Sequence, residues 1–400
     1  MRVALHVDQL FVAAPGGIGT YVRELLDAFA DMAPDSGRAT DSERETETDR
    51  EDGQGVAHRP DITAFNVARG LPGDVPAAHH RFDTVTIPGS IRSLYPSWNL
   101  FARPALPPAL SGCHVVHGTN HAAVPPAGDG QGLVVTVHDL AFDHFPEAFP
   151  SAWRWLYRAG VRAAIRRADV LIVPSAATAV DLVARGADAG AVRITPLASS
   201  LPHTPTDVDD VLRRLGIPRP YVVCAATLEP RKNQARLVRA YRQVAVEVPH
   251  ALVLAGPAGW RVAELEAELE QMGSGTVVRT GRLDASDLDA VIRGADAMVY
   301  PSLYEGFGLP VIEAMARGVP VVASTTPAVA ETAGDAAVLV DPHDVAGLAD
   351  ALARVLTDDS LRGDLSDRGR DRAGAFSWPR TARATLDAYR EAASRAEDGK

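Results

Sequence analysis

Two carboxylates, Glu305 and Glu313, bracket the turn E-G-F-G-L-P-V-I-E. Ionised carboxylates only accept hydrogen bonds, so a pair of them suits a ligand rich in neighbouring hydroxyls. Between them, Gly306 and Gly308 let the backbone approach a ligand closely. Pro310 suits the first turn of a helix, and the opening amides at Phe307, Gly308 and Leu309 have no partner within it. A helix start of this kind takes phosphate or another anion. An anion site beside two hydroxyl acceptors describes a nucleotide sugar. Taken singly, Glu313 could merely complement the helix dipole and Glu305 could be a solvated loop charge; their combination with this turn points to a site.

Cations stand elsewhere in the chain. Arg231 and Lys232, in L-E-P-R-K-N, follow an apolar run and offer a planar donor fork beside a compact charge, which suits a diphosphate. Without context they read as a solvated loop pair. His138 and Asp139 end the run V-V-T-V-H-D, and the carboxyl end of a parallel strand is where ligands collect. His144 and Glu147 lie in the loop that follows, either facing an acceptor or simply on the surface. Asp287-Leu288-Asp289 is the clearest D-x-D, but it follows Ser286 at a helix start and reads as capping rather than as a metal site.

The elements that must position these residues alternate in type. Strands are expected at Arg2 to Val7, Asp61 to Val67, Phe82 to Ile87, His114 to His117, Leu133 to Val137 and Ala168 to Val173. A second series runs through Tyr221 to Thr227, Ala251 to Ala255, Thr276 to Arg279, Ala295 to Tyr300 and Val319 to Ala323. Helical or turn-rich segments separate them, as in doubly wound α/β domains. After the first strand, P-G-G-I-G-T precedes a helix expected from about Thr20 to Met32. Gly17-x-Gly19 lacks the third glycine of a dinucleotide fingerprint and no acidic-tipped second strand follows, so NAD binding is disfavoured. Gly16 and Gly17 still make a bare loop able to approach a diphosphate. Pro34 to about Arg59 is dense in charge and poor in apolar residues, which predicts a disordered insertion. Leu201 to Pro220 reads as a linker with one short helical turn.

E-G-F-G-L-P-V-I-E, followed by A-M-A-R-G-V-P-V-V-A-S, resembles the E-x7-E signature of glycosyltransferase family 4, whose members are retaining, nucleotide-sugar-dependent enzymes of the GT-B fold. The resemblance implies two Rossmann-like doubly wound domains facing a cleft. Residues 1–200 would form the acceptor-side domain, 201–219 the linker, 220–375 the nucleotide-sugar-binding domain, and 376–400 a final helix crossing back. It implies that Arg231 and Lys232 bind the donor diphosphate, that Gly17 approaches it from the other domain, and that His138 contacts the transferred sugar. Glu305 would hold sugar hydroxyls, Glu313 the ribose diol, and backbone near Arg282 and Leu283 the nucleobase. Asp139 would orient His138 or bind acceptor. V-H-D-L-A-F with L-E-P-R-K-N resembles members that transfer mannose from GDP-mannose. The segment A-V-R-I-T-P-L-A-S-S departs from the family, which commonly has asparagine and glycine after this proline.

Composition narrows the alternatives. A chain of 400 residues accommodates two domains. A net charge of -11 argues against generic nucleic-acid binding. Cys113 and Cys224, far apart, read as core residues rather than a disulfide or metal pair. The first residues read as a strand, and no apolar run reaches the ~18 residues of a membrane span, so a cytoplasmic protein is expected. Ser151 to Asp169 reads as a helix with Trp153, Leu156, Tyr157, Val161, Ala164 and Ile165 on one face. Arg154, Arg158, Arg162 and Arg166 recur on another. That stripe is either a solvated side or, with Trp155, a peripheral contact for anionic lipid or a charged acceptor. The expected partners are a nucleotide-sugar donor and a glycan, lipid-linked or small-molecule acceptor, with no metal or other cofactor. A nucleotide-sugar epimerase or sugar phosphorylase of the same fold, or a non-catalytic sugar-binding relic, are the rival readings.

Overall fold

The computed structural model describes residues 1–11, 16–33, 58–67, 82–201, 206–272 and 276–399. The acidic stretch expected to be disordered lies outside them except for its last two residues, His58 and Arg59.

Two parallel sheets form the frame. The first comprises β1 Arg2–His6, β2 Asp61–Asn66, β3 Asp83–Thr86, β4 Val115–Gly118, β5 Gly132–Thr136, β6 Val170–Val173 and β7 Val192–Ile194, in the order β3-β2-β1-β4-β5-β6-β7. The second comprises β8 Tyr221–Ala225, β9 Ala251–Ala255, β10 Val277–Gly281, β11 Ala297–Tyr300, β12 Val321–Ser324 and β13 Val338–Val340, in the order β10-β9-β8-β11-β12-β13. Central strands such as β4, β5, β8 and β11 are buried along their whole length. This is why they read as continuous apolar runs: helices cover both faces of a parallel sheet. In each sheet the winding reverses beside the first strand, between β1 and β4 and between β8 and β11. Such reversal points open a crevice at the carboxyl ends of the strands. This is the GT-B architecture.

The final helix, Trp378–Asp398, lies against the first sheet. Thr381 Oγ1 donates to the Pro196 carbonyl at 2.7 Å, Trp378 Nε1 to Ser199 O at 3.0 Å, and the Tyr389 hydroxyl sits 2.7 Å from His117 Nδ1. A Cβ at Gly132 would stand 2.5 Å from the Ala392 carbonyl carbon, so β5 needs glycine where this helix crosses it.

Several expectations need correction. The first helix spans Gly16–Ala30, so Gly16 and Gly17 form its opening turn rather than a loop ahead of it. Its apolar residues Tyr21, Val22, Leu25, Leu26 and Phe29 are all buried, and packing of that face outweighs the low helix propensity of glycine. The segment expected to be a linker carries a two-turn helix, Val208–Leu215, capped by Asp207 and closed by Gly216 at φ 66°. That helix packs on Ala285–Arg293 of the second unit, where Arg214 pairs with Asp287 at 2.5 Å. On the helix Ser151–Arg167, Trp153 is 45% exposed and does not share the buried face of Leu156, Val161 and Ala164.

Candidate active site

The cation pair is built by a short turn. Pro230 starts a 3-10 turn over Pro230–Lys232, and Asn233 ends it in the left-handed conformation at φ 64°. Asparagine tolerates that backbone, and its Nδ2 ties the turn to Pro301 O at 3.0 Å and Pro342 O at 2.7 Å. The following loop is tied in the same way, with Leu303 N donating to Arg231 O at 2.8 Å.

Glu305 thereby meets both cations. Arg231 Nη1 donates to Glu305 Oε2 at 3.0 Å, and Lys232 Nζ to Oε1 at 2.6 Å. Ser302 Oγ and the Tyr300 hydroxyl donate to the same Oε1 at 2.5 and 2.9 Å. Burial opposes ionisation of Glu305, but the charges of Lys232 and Arg231 and the hydrogen bonds outweigh it and hold the carboxyl at about 2. Burial also works against the Arg231 charge, yet Glu305 and Glu229 raise its pKa above the usual arginine value. Lys232, buried beside Arg231, is lowered.

His138 arrives from the end of β5. Its Nε2 donates to Thr119 O at 2.9 Å, which leaves Nδ1 as the acceptor of a neutral ring. Burial lowers its pKa despite that bond and nearby Asp139. Tyr21 meets the ring edge-on at 4.9 Å. A Cβ at Gly306 would stand 1.9 Å from His138 O, and Gly306 O accepts from Ser175 Oγ at 2.7 Å, so the two halves touch where the loops of Glu305 and His138 meet.

These residues line one cavity of about 490 Å³. Gly17, His138 and Asp139 contribute from the first unit, and Arg231, Lys232, Glu305, Phe307, Gly308, Leu309 and Glu313 from the second. A Cβ at Gly17 would sit 4.0 Å from Leu309 Cδ1, placing the glycine opposite that turn. Gly308 precedes the helix Leu309–Met315 at φ 104°, a conformation that favours glycine. Among the described residues no acceptor pairs with the amides of Phe307, Gly308 and Leu309. Glu313 is 7% exposed, and its Oε1 accepts from Ser200 Oγ at 3.5 Å. Burial pushes it up to about 7 against the opposing effect of Arg317 and Ser200. A side cavity of about 210 Å³, lined by Gly256, Arg282, Leu283 and Leu288, shares Ala225, Ala226, Thr227, Pro310 and Glu313 with the first. Leu283 belongs to this side cavity and not to the main one.

Asp139 lines the main cavity while its Oδ1 accepts from Ala141 N at 2.9 Å. His144 stacks on Tyr304 with ring centroids 4.4 Å apart and meets Asp181 Oδ2 at 2.9 Å, while Glu147 O accepts from Arg261. The D-x-D pair does not cap its helix: Asp284 does, accepting from Asp287 N at 2.8 Å. Asp287 and Asp289 are instead held by arginines, Asp289 by Arg317 at 2.6 Å and Arg293 at 2.7 Å.

Sequence reasoning missed Tyr300, Ser302, Glu229 and Tyr304. Glu229 stands two positions before Arg231, a signal that was available. Tyr304 was not legible, because its hydroxyl donates to Asp181 Oδ2 at 2.8 Å and accepts from Leu140 N at 3.1 Å across the cleft.

Comparison with known proteins shows the family. Residues 15–198 match the family described as Glycosyltransferase Family 4, and residues 210–372 that described as Glycosyl transferases group 1. The chain belongs to the group 1, family 4 glycosyltransferases. It is 31% identical over 266 residues to O-antigen chain mannosyltransferase B of Escherichia coli, covering 64% of this chain and 70% of that protein. It is 33% identical over 233 residues to a D-inositol 3-phosphate glycosyltransferase of Nocardioides sp. (strain ATCC BAA-499 / JS614), covering 53% of this chain and 48% of that one. The alignment with serotype-specific mannosyltransferase WbdA of Escherichia coli, 26% identical over 239 residues, covers 57% of this chain and only 29% of that protein. In fold, the chain resembles Anabaena HepE in complex with UDP and glucose, with TM-score 0.70, 19% identity and coverage of 97% and 98%. It also resembles WaaG, a glycosyltransferase involved in lipopolysaccharide biosynthesis, with TM-score 0.66, 18% identity and coverage of 96% and 98%. No helix among the described residues is long and apolar enough to cross a membrane.

Proposed function

We propose that the protein moves a hexose from a nucleoside diphosphate sugar to an acceptor hydroxyl with retention of anomeric configuration. Fixed cations rather than a divalent ion would support the leaving group. The observation that carries this reading is the meeting of Arg231, Lys232, Glu305, His138 and Glu313 around one cavity between the two sheets.

When the bond between the anomeric carbon and the diphosphate oxygen breaks, negative charge develops on the diphosphate. Preoriented cations and amides are most effective where charge appears during the reaction. Arg231, Lys232 and the amides of Phe307 to Leu309 take that role. Glu305, kept ionised by its partners, accepts hydroxyls of the sugar, and Glu313 accepts those of the ribose. His138, neutral, faces the reacting centre. The acceptor oxygen bonds to the anomeric carbon from the face the diphosphate leaves, and its proton passes to the departing phosphate oxygen. The base lies in the side cavity near Arg282 and Leu283. Mannose is the favoured sugar, supported by the likeness to O-antigen chain mannosyltransferase B. Trp155, 50% exposed on the helix that also carries the exposed Arg158 and Arg162, supports a peripheral contact with anionic lipid, Arg158 being shared with Asp143 at 2.7 Å.

Thermal-shift screening against GDP-, UDP- and ADP-sugars tests the donor, because a ligand that binds only the native state raises its melting temperature. Transfer that stopped with chelator and returned with magnesium would overturn the cationic mechanism. Epimerised donor formed without acceptor would favour an epimerase on the same fold.

A further inference from the structure

The turn G-P-A-G-W carries an aromatic ring that no part of donor binding uses. Trp260 lines the main cavity together with His138, Asp139 and Glu305, and 44% of it remains exposed. Its placement is over-determined. A Cβ at Gly256 would stand 2.1 Å from Ala226 O, and one at Gly259 2.5 Å from Leu228 O, so the turn lies flush on the end of the neighbouring strand. Leu228 N donates to Pro257 O and Gly259 N to Leu228 O, each at 3.0 Å. The next residue, Arg261, adopts φ 56° although it is not glycine, and its Nη1 donates across the cleft to Glu147 O at 3.0 Å. Side chains held in this sparsely populated region cost energy and persist where surrounding structure enforces them. The result is that Trp260 of the second unit meets Phe149 of the first, with centroids 6.2 Å apart and a tilt of 54°.

We propose that Trp260, backed by Phe149, is the stacking platform for the accepting sugar, so that the acceptor is a saccharide terminus and not a small phosphorylated alcohol. This rests on the glycosyltransferase reading above and names its acceptor class. A pyranose presents an apolar face of C–H bonds ringed by hydroxyls. The electron-rich face of an indole attracts those polarised C–H bonds while removing apolar surface from water. Asp139, with Oδ1 committed to Ala141 N, keeps Oδ2 as an acceptor for hydroxyls of the same ring. Among the described residues that line this cavity the cations are Arg231 and Lys232, which the donor diphosphate engages, so no further lining cation is left for an acceptor phosphate.

The test is binding and transfer with α-linked mannobiose and with D-inositol 3-phosphate, in the full chain and in the variants Trp260→Ala and Trp260→Phe. In saturation-transfer NMR the ring-face protons of mannobiose should receive the strongest transfer; Trp260→Ala should abolish it and Trp260→Phe retain it. Acceptor KM should rise about tenfold in Trp260→Ala with donor KM unchanged, the size of one lost aromatic contact. Unchanged mannobiose affinity in Trp260→Ala, no binding of mannobiose to the wild type, or use of D-inositol 3-phosphate indifferent to Trp260 would each overturn the proposal. A wild type that turns over no nucleotide sugar would instead sink the parent reading, while the NMR result still decides the role of Trp260.

Discussion

Gly306 approaches His138 so closely that a methyl group on its Cα would stand 1.9 Å from the His138 carbonyl oxygen. The carboxylate loop and the histidine loop are in register because one residue between them has no side chain. Gly306→Ala should force the two halves apart by a fraction of an ångström or more. A misplacement of about 1 Å at a reacting centre costs about a hundredfold in rate. Transfer should fall by that order while circular dichroism stays native; unchanged kcat/KM would show that the contact does not position the site.

Glu305 is the partner of two buried cations. Glu305→Gln should reduce transfer by about a hundredfold or more, as for other lost electrostatic contacts to a transition state. It should also destabilise the fold, since removing one member of a buried pair leaves uncompensated charge. The carboxyl titrates at about 2 in the folded chain against an ordinary 4.5. A depressed pKa contributes stability that is present above 4.5 and is lost as pH falls towards 2, on the order of 3 kcal/mol. Urea unfolding between pH 6 and pH 3 should therefore show a steeper acid loss in the wild type than in Glu305→Gln.

Glu313 behaves in the opposite sense. Burial raises it to about 7, so the fold favours its protonated form, and stability falls as pH rises from 4.5 through 7. Ribose hydroxyls that donate to this carboxylate favour the ionised form. Nucleotide binding near pH 7 should release protons, and affinity should weaken as pH drops below 7. Calorimetry in buffers of different ionisation enthalpy measures that release; Glu313→Gln should remove it.

Tyr304 bridges the cleft through one hydroxyl that serves both Asp181 and the Leu140 amide. Tyr304→Phe leaves that amide without its partner and should cost about 1–3 kcal/mol of closure. The expected result is a larger radius of gyration in X-ray scattering and a rise in donor KM; an unchanged scattering profile with normal KM would remove Tyr304 from the closing contact.

Much of the frame was legible because its causes are local or periodic. Strands buried on both faces need uninterrupted apolar runs, and V-V-T-V and A-M-V-Y announce themselves as such. The turn around Gly308 and Pro310 was legible because few residues adopt its backbone, and the cations because their chemistry is visible in their type. What tertiary structure decided is how that chemistry is combined. Glu305 and Lys232 lie far apart in the chain, and only the winding of the second sheet places a carboxylate oxygen 2.6 Å from the ammonium. Gly17 is a poor helix former, yet the buried face of the residues that follow draws it into the first helix, which opens at Gly16 with φ 56°. The D-x-D aspartates have the composition of a cap or a metal site, and become arginine ligands because Arg214, from the helix Val208–Leu215, and Arg317, just past the helix Leu309–Met315, arrive to join Arg293 of their own helix. Side-chain type and backbone preference are properties of single residues and their neighbours. Distance, desolvation and charge pairing belong to the folded chain, and these set which carboxylate ionises at about 2 and which at about 7.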